Sequence, residues 1–241
     1  MPDGLRLRAA AVQLIGLAVL VALAGVARTR LPLGELYSLK AAAWFAVIAT
    51  LAVTFISGDT HPFTRVGPAN LVTTARAVFV ALVVASIGEP ASPAVAATAA
   101  VAALAATMMD GVDGWMARRT GMASRFGARF DMEIDALLIL ALAILTWQHG
   151  KAGAWVVLSG LLRYGFVAAG WLLPQMRRPL LDSRRRQTIC VIQVAALIIA
   201  LDPFVTPPAS EFIASAALAA LVYSFAVDTR WLLSDRREQV A

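Results

Sequence analysis

The sequence predicts an all-α protein, a polytopic bundle of transmembrane helices. Of the 241 residues, 60% are hydrophobic and only 15% are charged, and the mean hydropathy is +0.75. The apolar residues form repeated runs long enough to cross a bilayer core of roughly 30 Å. Proline, glycine or clusters of arginine separate these runs, and such residues end helices or mark their water-facing ends.

Eight candidate spans follow one another along the chain. The stop signals between them are Glu89-Pro90, Pro93, Gly150 to Gly153, Pro174 and Pro207-Pro208. The third span is short and has Arg76 near its start. The first span is interpreted as a retained helix rather than a signal peptide. The predicted limits are 9–27, 37–57, 73–88, 93–110, 129–147, 152–173, 188–206 and 210–232.

Eight spans place both termini on the same side of the membrane, and the basic residues are unevenly divided between the two sides. Four basic residues lie on the other side: Arg28, Arg30, Lys40 and Lys151. Sixteen lie on the first side: Arg6, Arg8, Arg65, Arg76, Arg118, Arg119, Arg125, Arg129, Arg177, Arg178, Arg184, Arg185, Arg186, Arg230, Arg236 and Arg237. The positive-inside rule places both termini and the Asp-bearing loop in the cytoplasm, and the expected location is the bacterial inner membrane. Arginines dispersed in this way do not indicate a nucleic-acid partner.

Cysteine and histidine limit the chemistry that the chain can perform. Cys190 is the only cysteine, so no intrachain disulfide can form. With only His61 and His149 besides, a zinc site built from histidine and cysteine is excluded. Any metal must therefore be bound by oxygen.

Four aspartates interrupt the apolar pattern around the fourth and fifth spans. Asp110 and Asp113 are spaced i, i+3, and Asp131 and Asp135 are spaced i, i+4, so each pair shares a helix face. An ionised Asp at membrane depth costs on the order of 2.5–3.5 kcal/mol unless a cation compensates it. Helices joined by a short loop are normally antiparallel neighbours, so the two faces are expected to converge. Carboxylates favour Mg²⁺ or Mn²⁺, and a two-metal site can clamp a phosphoryl group.

Small residues and an arginine accompany the aspartates. Gly114 and Ala117 share the aspartate face of the fourth span and would let a ligand approach the backbone. Arg118 can bind a phosphate through two parallel hydrogen bonds. Gly127 lies one turn before Asp131 and would allow close packing at the start of the fifth span.

Together these residues resemble the signature of the CDP-alcohol phosphotransferase family of integral membrane enzymes. The match has no departure and reads Asp110-x2-Asp113-Gly114-x2-Ala117-Arg118-x8-Gly127-x3-Asp131-x3-Asp135. The segment from Gly67 to Arg76 is similar to the one that opens the first core helix of the family, with one residue inserted between Pro68 and Asn70. The resemblance implies a six-helix core preceded by two extra transmembrane helices. The predicted division is a two-helix addition at 1–60, the core at 61–235 and a cytoplasmic tail at 236–241.

The resemblance implies a magnesium-dependent transfer, with two ions of Mg²⁺ or Mn²⁺, of a phosphatidyl group from a CDP-alcohol to an alcohol hydroxyl. The donor is expected to be CDP-diacylglycerol, CMP is released, and the product is a phosphodiester made in phospholipid biosynthesis. The implied metal ligands are Asp110, Asp113, Asp131 and Asp135, the last also being the proposed general base. The positions implied around CDP are Gly114, Ala117, Arg118 and Asp113, with Asn70, Thr73 and Arg76 expected in the same pocket. For Asn70, a helix cap is an alternative role.

The acceptor alcohol is less well defined by the sequence. Arg163 lies within the sixth span, where a charged residue is expected to face a cavity and a partner. In the family, an Arg at a comparable place is commonly followed by Glu, and Tyr164 stands there instead. Arg184, Arg185 and Arg186 either bind an acceptor phosphate or anchor the seventh span at the headgroups. Glu133 is expected to pair with Arg129 or Arg125.

Two alternatives come from other classes of protein. An intramembrane prenyltransferase would also use Asp-rich helix ends with Mg²⁺, but without the Gly-x2-Ala-Arg spacing. A transporter or scaffold would spread its charges along a pathway instead of gathering them at one end. The partners expected from the resemblance are the CDP-alcohol, a small alcohol acceptor, membrane lipids and a second copy of the chain in a homodimer.

Overall fold

The computed structural model describes residues 2–178 and 183–234, without the side chains of residues 2, 3, 113, 117, 118, 174 and 177. This part of the chain contains eight α-helices and two short 3-10 turns, Ala154–Val157 and Pro174–Arg177, and has no strand. The helices are α1 (Pro2–Arg30), α2 (Tyr37–Phe55), α3 (Pro68–Ala85), α4 (Pro93–Thr120), α5 (Arg125–Gln148), α6 (Leu158–Leu172), α7 (Arg184–Leu201) and α8 (Ala209–Ser234). The predicted polytopic helical bundle is confirmed.

Six of these described helices are long and apolar enough to cross a membrane, and the chain is an integral membrane protein. Its outer surface carries large apolar side chains such as Trp171 and Phe212, each 74% exposed, as expected of a surface that faces lipid. The other two helices, α5 and α7, have charged starts. Three acidic residues lie within the first half of α5, and three arginines open α7.

The helices around the aspartates begin and end differently from the predicted limits. Helix α3 begins at Pro68, before the predicted limit of 73, because Gly67 takes φ +84 and leads into proline at the first turn. Helix α4 continues beyond 110 to Thr120, where Gly121 ends it in the left-handed region at φ +64. Asp110 therefore lies inside α4 rather than at its end.

Helix α3 lies at the centre of the bundle. It packs against α1, α2, α4 and α5, and it is the most deeply buried of the six candidate spans. Buried side chains from every described helix except α6 form one continuous apolar cluster. Because α1 and α2 pack directly on α3, they share this core. The division at residue 60 stays a prediction.

A buried carboxylate joins the α1–α2 hairpin to the core at the end of the bundle away from the aspartates. Glu89, in the loop after α3, accepts hydrogen bonds from the backbone N–H of Gly34, at 2.5 Å, and from the ammonium of Lys40. Burial raises the pKa of Glu89, but these two donors and the Lys40 charge outweigh it, and the pKa lies below its ordinary value. The ionised pair fixes the loop between α1 and α2 to the core.

Helices α5 and α6 approach closely at a glycine. A Cβ on Gly160 would lie 2.5 Å from the Cα of Leu140, which is shorter than real Cβ contacts. The missing side chain lets the two backbones meet, as small residues do at helix interfaces in membranes. The crossing brings the next turn of α6, which carries Arg163, alongside α5.

Candidate active site

Three aspartates from two helices meet at one end of the bundle. Asp110 comes from α4, and Asp131 and Asp135 come from successive turns of α5. One carboxylate oxygen from each lies within 4.8 Å of the others. These side chains are 27–35% exposed, so the cluster is open to a ligand from outside the bundle. Three carboxylates at this separation repel one another and require positive charge.

Arg76 of α3 supplies part of that charge from inside the protein. Its side chain is 1% exposed, and one of its terminal nitrogens lies 2.8 Å from Asp110 Oδ1. The same guanidinium forms ion pairs with Asp131 and Asp135, and its Nε donates to the carbonyl of Ala106 at 3.2 Å. The sequence placed Arg76 on the arginine-rich side and in the expected CDP pocket, but did not pair it with the aspartates, because that pairing depends on how α3 packs against α4 and α5. The available signal was an arginine within an apolar helix, which needs an acidic partner.

The carboxylate set fits a divalent cation. The three aspartates carry more negative charge than one guanidinium neutralises, and their oxygens are hard ligands of the kind that Mg²⁺ and Mn²⁺ prefer. The fourth predicted ligand, Asp113, lies one turn after Asp110 in α4, but its side chain is outside the part of the chain that the structure describes.

Asn70 and Thr73 are buried where α3 meets α5. Asn70 is 4% exposed, its Nδ2 donates to the Val66 carbonyl at 2.5 Å, and its Oδ1 faces Gly127, where a Cβ would lie 2.8 Å away. Thr73 is 2% exposed and donates to the Ala69 carbonyl at 3.1 Å. The alternative role of Asn70 as a helix cap is wrong, because the residue at the N-cap of α3 is Gly67. The described contacts of both side chains hold the start of α3, and contact with CDP stays a prediction.

A family model for CDP-alcohol phosphatidyltransferase matches residues 67–227, which is more than half of the chain. The chain belongs to the CDP-alcohol phosphatidyltransferase family. It is therefore a transferase. The family match favours the reaction implied by the resemblance over a prenyltransferase or a transporter. No curated protein and no solved structure matched the chain. The family match includes the whole carboxylate cluster and leaves α1, α2 and the segment 56–66 outside it.

The other predicted CDP-binding positions of this transferase lie on α4. Gly114 is half-buried, one turn of helix beyond Asp110. The side chains of Ala117 and Arg118 lie outside the described residues, and their place relative to a nucleotide stays a prediction.

Three of the four arginines predicted to bind the acceptor have acidic partners. Arg163 of α6 donates to Glu133 Oε1 at 2.6 Å. Asp228 of α8 accepts from Arg185 and lies 3.5 Å from Arg186, while Arg184 is exposed at the start of α7. Sequence reasoning did not single out Asp228, although an arginine cluster at a membrane surface is a signal for an acidic partner. Whether these arginines bind an acceptor stays a prediction.

Glu133 does not follow the expected helical pairing. Arg125 and Arg129 lie on its own helix, but the structure pairs Glu133 with Arg163 of α6. The close crossing at Gly160 brings α6 alongside α5, and an arginine inside a membrane span requires a nearby carboxylate more strongly than one at a wet helix end.

Proposed function

We propose that this transferase moves the phosphatidyl, or other substituted phosphoryl, group of a CDP-alcohol to the hydroxyl of an alcohol and releases CMP. CDP-diacylglycerol is the proposed donor, and phospholipid biosynthesis is the proposed context. The observation that carries the proposal is the cluster of Asp110, Asp131 and Asp135 around Arg76, at one end of a membrane bundle and inside the family match.

The proposed metal ligands are Asp110, Asp113, Asp131 and Asp135, for two ions of Mg²⁺ or Mn²⁺. When bound, the ions neutralise the pyrophosphate of the donor and make CMP a good leaving group. Arg76 holds the three described aspartates together from beneath, so that they present a fixed set of oxygens. This support fits a site in which the protein positions charge before the substrate binds.

Asp135 is the proposed general base. A carboxylate oxygen of Asp135 accepts the proton of the attacking hydroxyl, the new phosphorus–oxygen bond forms, and the bond from phosphorus to the CMP oxygen breaks. Asp135 lies at the inner end of the cluster, and 27% of its side chain is exposed, which leaves it accessible to an incoming hydroxyl. The residues proposed to bind CDP are Asp113, Gly114, Ala117, Arg118, Asn70 and Thr73.

The test is CMP release by the full chain in lipid nanodiscs with CDP-diacylglycerol and Mg²⁺. A panel of acceptors should include glycerol 3-phosphate, inositol phosphate, inositol and serine. We expect release of CMP with one of these alcohols, loss of release on chelation of Mg²⁺, and little release when no acceptor is present. Failure of every CDP-alcohol to bind would overturn the proposal.

The proposed location is the bacterial inner membrane, with the carboxylate cluster and both termini facing the cytoplasm. The arginine distribution supports it, since four arginines remain near the cluster end of α5 and α7 in the structure, at positions 125, 184, 185 and 186. A reporter protein fused after Val240 should be active only inside the cell. Reporter activity outside the cell contradicts this orientation.

A further inference from the structure

The segment that links α2 to α3 reaches the start of α5. His61 in this segment is fully buried, and its Nδ1 lies 2.9 Å from Ser124 Oγ. Its Nε2 lies 2.8 Å from the carbonyl oxygen of Arg65. The backbone N–H of Phe126 donates to the Thr60 carbonyl at 3.0 Å. Two separate contacts therefore join this segment, which lies outside the family match, to the N-cap and first turn of α5. Helix α5 carries Asp131 and Asp135.

The N-terminal helix holds the same segment from its other side. Arg8 of α1 donates to the carbonyl of Thr64 at 2.9 Å. The imidazole ring of His61 also packs edge-on against Phe63 and Phe126, with ring centroids 5.3 and 6.1 Å apart. The segment is thus fixed between α1 and the start of α5.

The hydrogen bonds define one tautomer of His61. Because the Arg65 carbonyl can only accept, Nε2 carries the proton and donates it, and Nδ1 of the neutral ring accepts from the hydroxyl of Ser124. Ser124 is also the N-cap of α5, and its Oγ accepts from the backbone N–H of Gly127 at 3.1 Å. This chain of hydrogen bonds satisfies each polar atom in it and sets the direction of the Ser124 hydroxyl.

The start of α5 has little freedom to move without disturbing the cluster. Asp131 lies one turn after Gly127, which is in close contact with Asn70 of α3. A change in the cap would shift the first turns of α5 against α3, and with them Asp131 relative to Asp110. The bond between His61 and Ser124 thus acts on the helix start that carries one carboxylate of the cluster.

We propose that His61 is a positioning residue of the transferase. It acts through the Ser124 cap to fix the first turns of α5, and thereby places Asp131 for cation binding. This inference rests on the proposed function only in assuming that the aspartates bind a divalent cation. His61 lies before residue 67, where the family match begins. The segment between α2 and α3 therefore contributes to the active site.

Two substitutions of His61 separate this role from general packing. In asparagine the amide lies near the position of Nδ1, and in glutamine it reaches the position of Nε2. His61→Asn can therefore keep the bond to Ser124, whereas His61→Gln keeps only the bond to the Arg65 carbonyl. Ser124→Ala removes the same bond from the other side, together with the N-cap bond from the Gly127 N–H. His149→Gln is the matched control, because the only other histidine lies at the opposite end of α5.

The measurement is Mn²⁺ binding to the full chain, followed by electron paramagnetic resonance, alongside CMP release. We expect His61→Gln to weaken Mn²⁺ binding about fivefold, the effect of one lost hydrogen bond. Ser124→Ala should weaken it at least as much, because it also removes the N-cap bond to the Gly127 N–H. Both variants should lower kcat. The double variant should be no worse than Ser124→Ala alone, because Ser124→Ala has already removed the bond that His61→Gln removes. His61→Asn and His149→Gln should bind Mn²⁺ as the unaltered protein does.

Two results would overturn the inference. Unchanged Mn²⁺ affinity in His61→Gln and Ser124→Ala would show that the cap does not place Asp131. Equal losses in His61→Asn and His61→Gln would assign His61 to packing alone. If the unaltered protein binds Mn²⁺ but releases no CMP from any CDP-alcohol, the proposed function fails, and the comparison of Mn²⁺ affinities still decides the role of His61.

Discussion

Asp135→Asn should abolish turnover, lowering kcat by about 10³-fold while CDP-alcohol binding stays largely intact. A general base contributes typically 10²–10⁴-fold, and an amide cannot accept the proton of the attacking hydroxyl. Asparagine has the same shape as aspartate, and its carbonyl oxygen can still accept from Arg76. The protein should therefore fold normally. CMP release and the binding of labelled CDP-diacylglycerol, measured on the same preparation, check the two halves of this expectation.

Asp202→Asn is the matched control for this substitution. Asp202 lies at the end of α7 away from its arginine-rich start, and its carboxylate accepts from the backbone N–H of Phe204 at 2.9 Å. The control should keep its rate of CMP release. A rate within tenfold of the unaltered enzyme in Asp135→Asn would exclude Asp135 as the base, and loss of donor binding would assign it to binding instead.

Arg76→Gln should destabilise the protein when divalent cations are absent. The guanidinium is 1% exposed and forms ion pairs with three aspartates, so its removal leaves three carboxylates that repel one another. Breaking a buried ion pair costs about 3–5 kcal/mol, and the partial exposure of the carboxylates reduces this to about 2–4 kcal/mol. The thermal midpoint in EDTA should fall by roughly 5–15 °C.

Saturating Mg²⁺ should restore part of the lost stability of Arg76→Gln, because a cation that binds the folded state stabilises it. The Mg²⁺-induced rise in Tm should be larger for this variant than for the unaltered protein. Arg129→Gln is the matched control, since Arg129 is an exposed arginine of α5 and should melt normally. Equal melting temperatures of Arg76→Gln and Arg129→Gln in EDTA would contradict the assigned role of Arg76.

Much of the fold could be predicted from the sequence. Eight apolar runs predicted eight helices, because the bilayer requires backbone groups to be satisfied within each span. The limits of these helices were less accurate. Gly67 and Gly121 decided where α3 began and where α4 ended, through backbone conformations that the apolar pattern does not report.

The sequence also placed the aspartates on common helix faces, because spacings of three and four residues are geometrical properties of a single helix. It could not assign the partners of the charged residues, which depend on how different helices cross. Arg76 was expected in the CDP pocket without a named acidic partner, and the packing of α3 against α4 and α5 made it the counter-ion of the cluster. Glu133 was expected to pair along its own helix and pairs with α6 instead.

By itself, the sequence determined that this is a helical membrane protein with the family signature and four aspartates on two helix faces. Only the tertiary structure decided that Arg76 lies beneath Asp110, Asp131 and Asp135, and that His61 contacts the cap of α5. The physical reason is that helical periodicity and hydropathy act within one span. The contacts of a buried charge or imidazole are set by the close packing of segments that lie far apart in the chain.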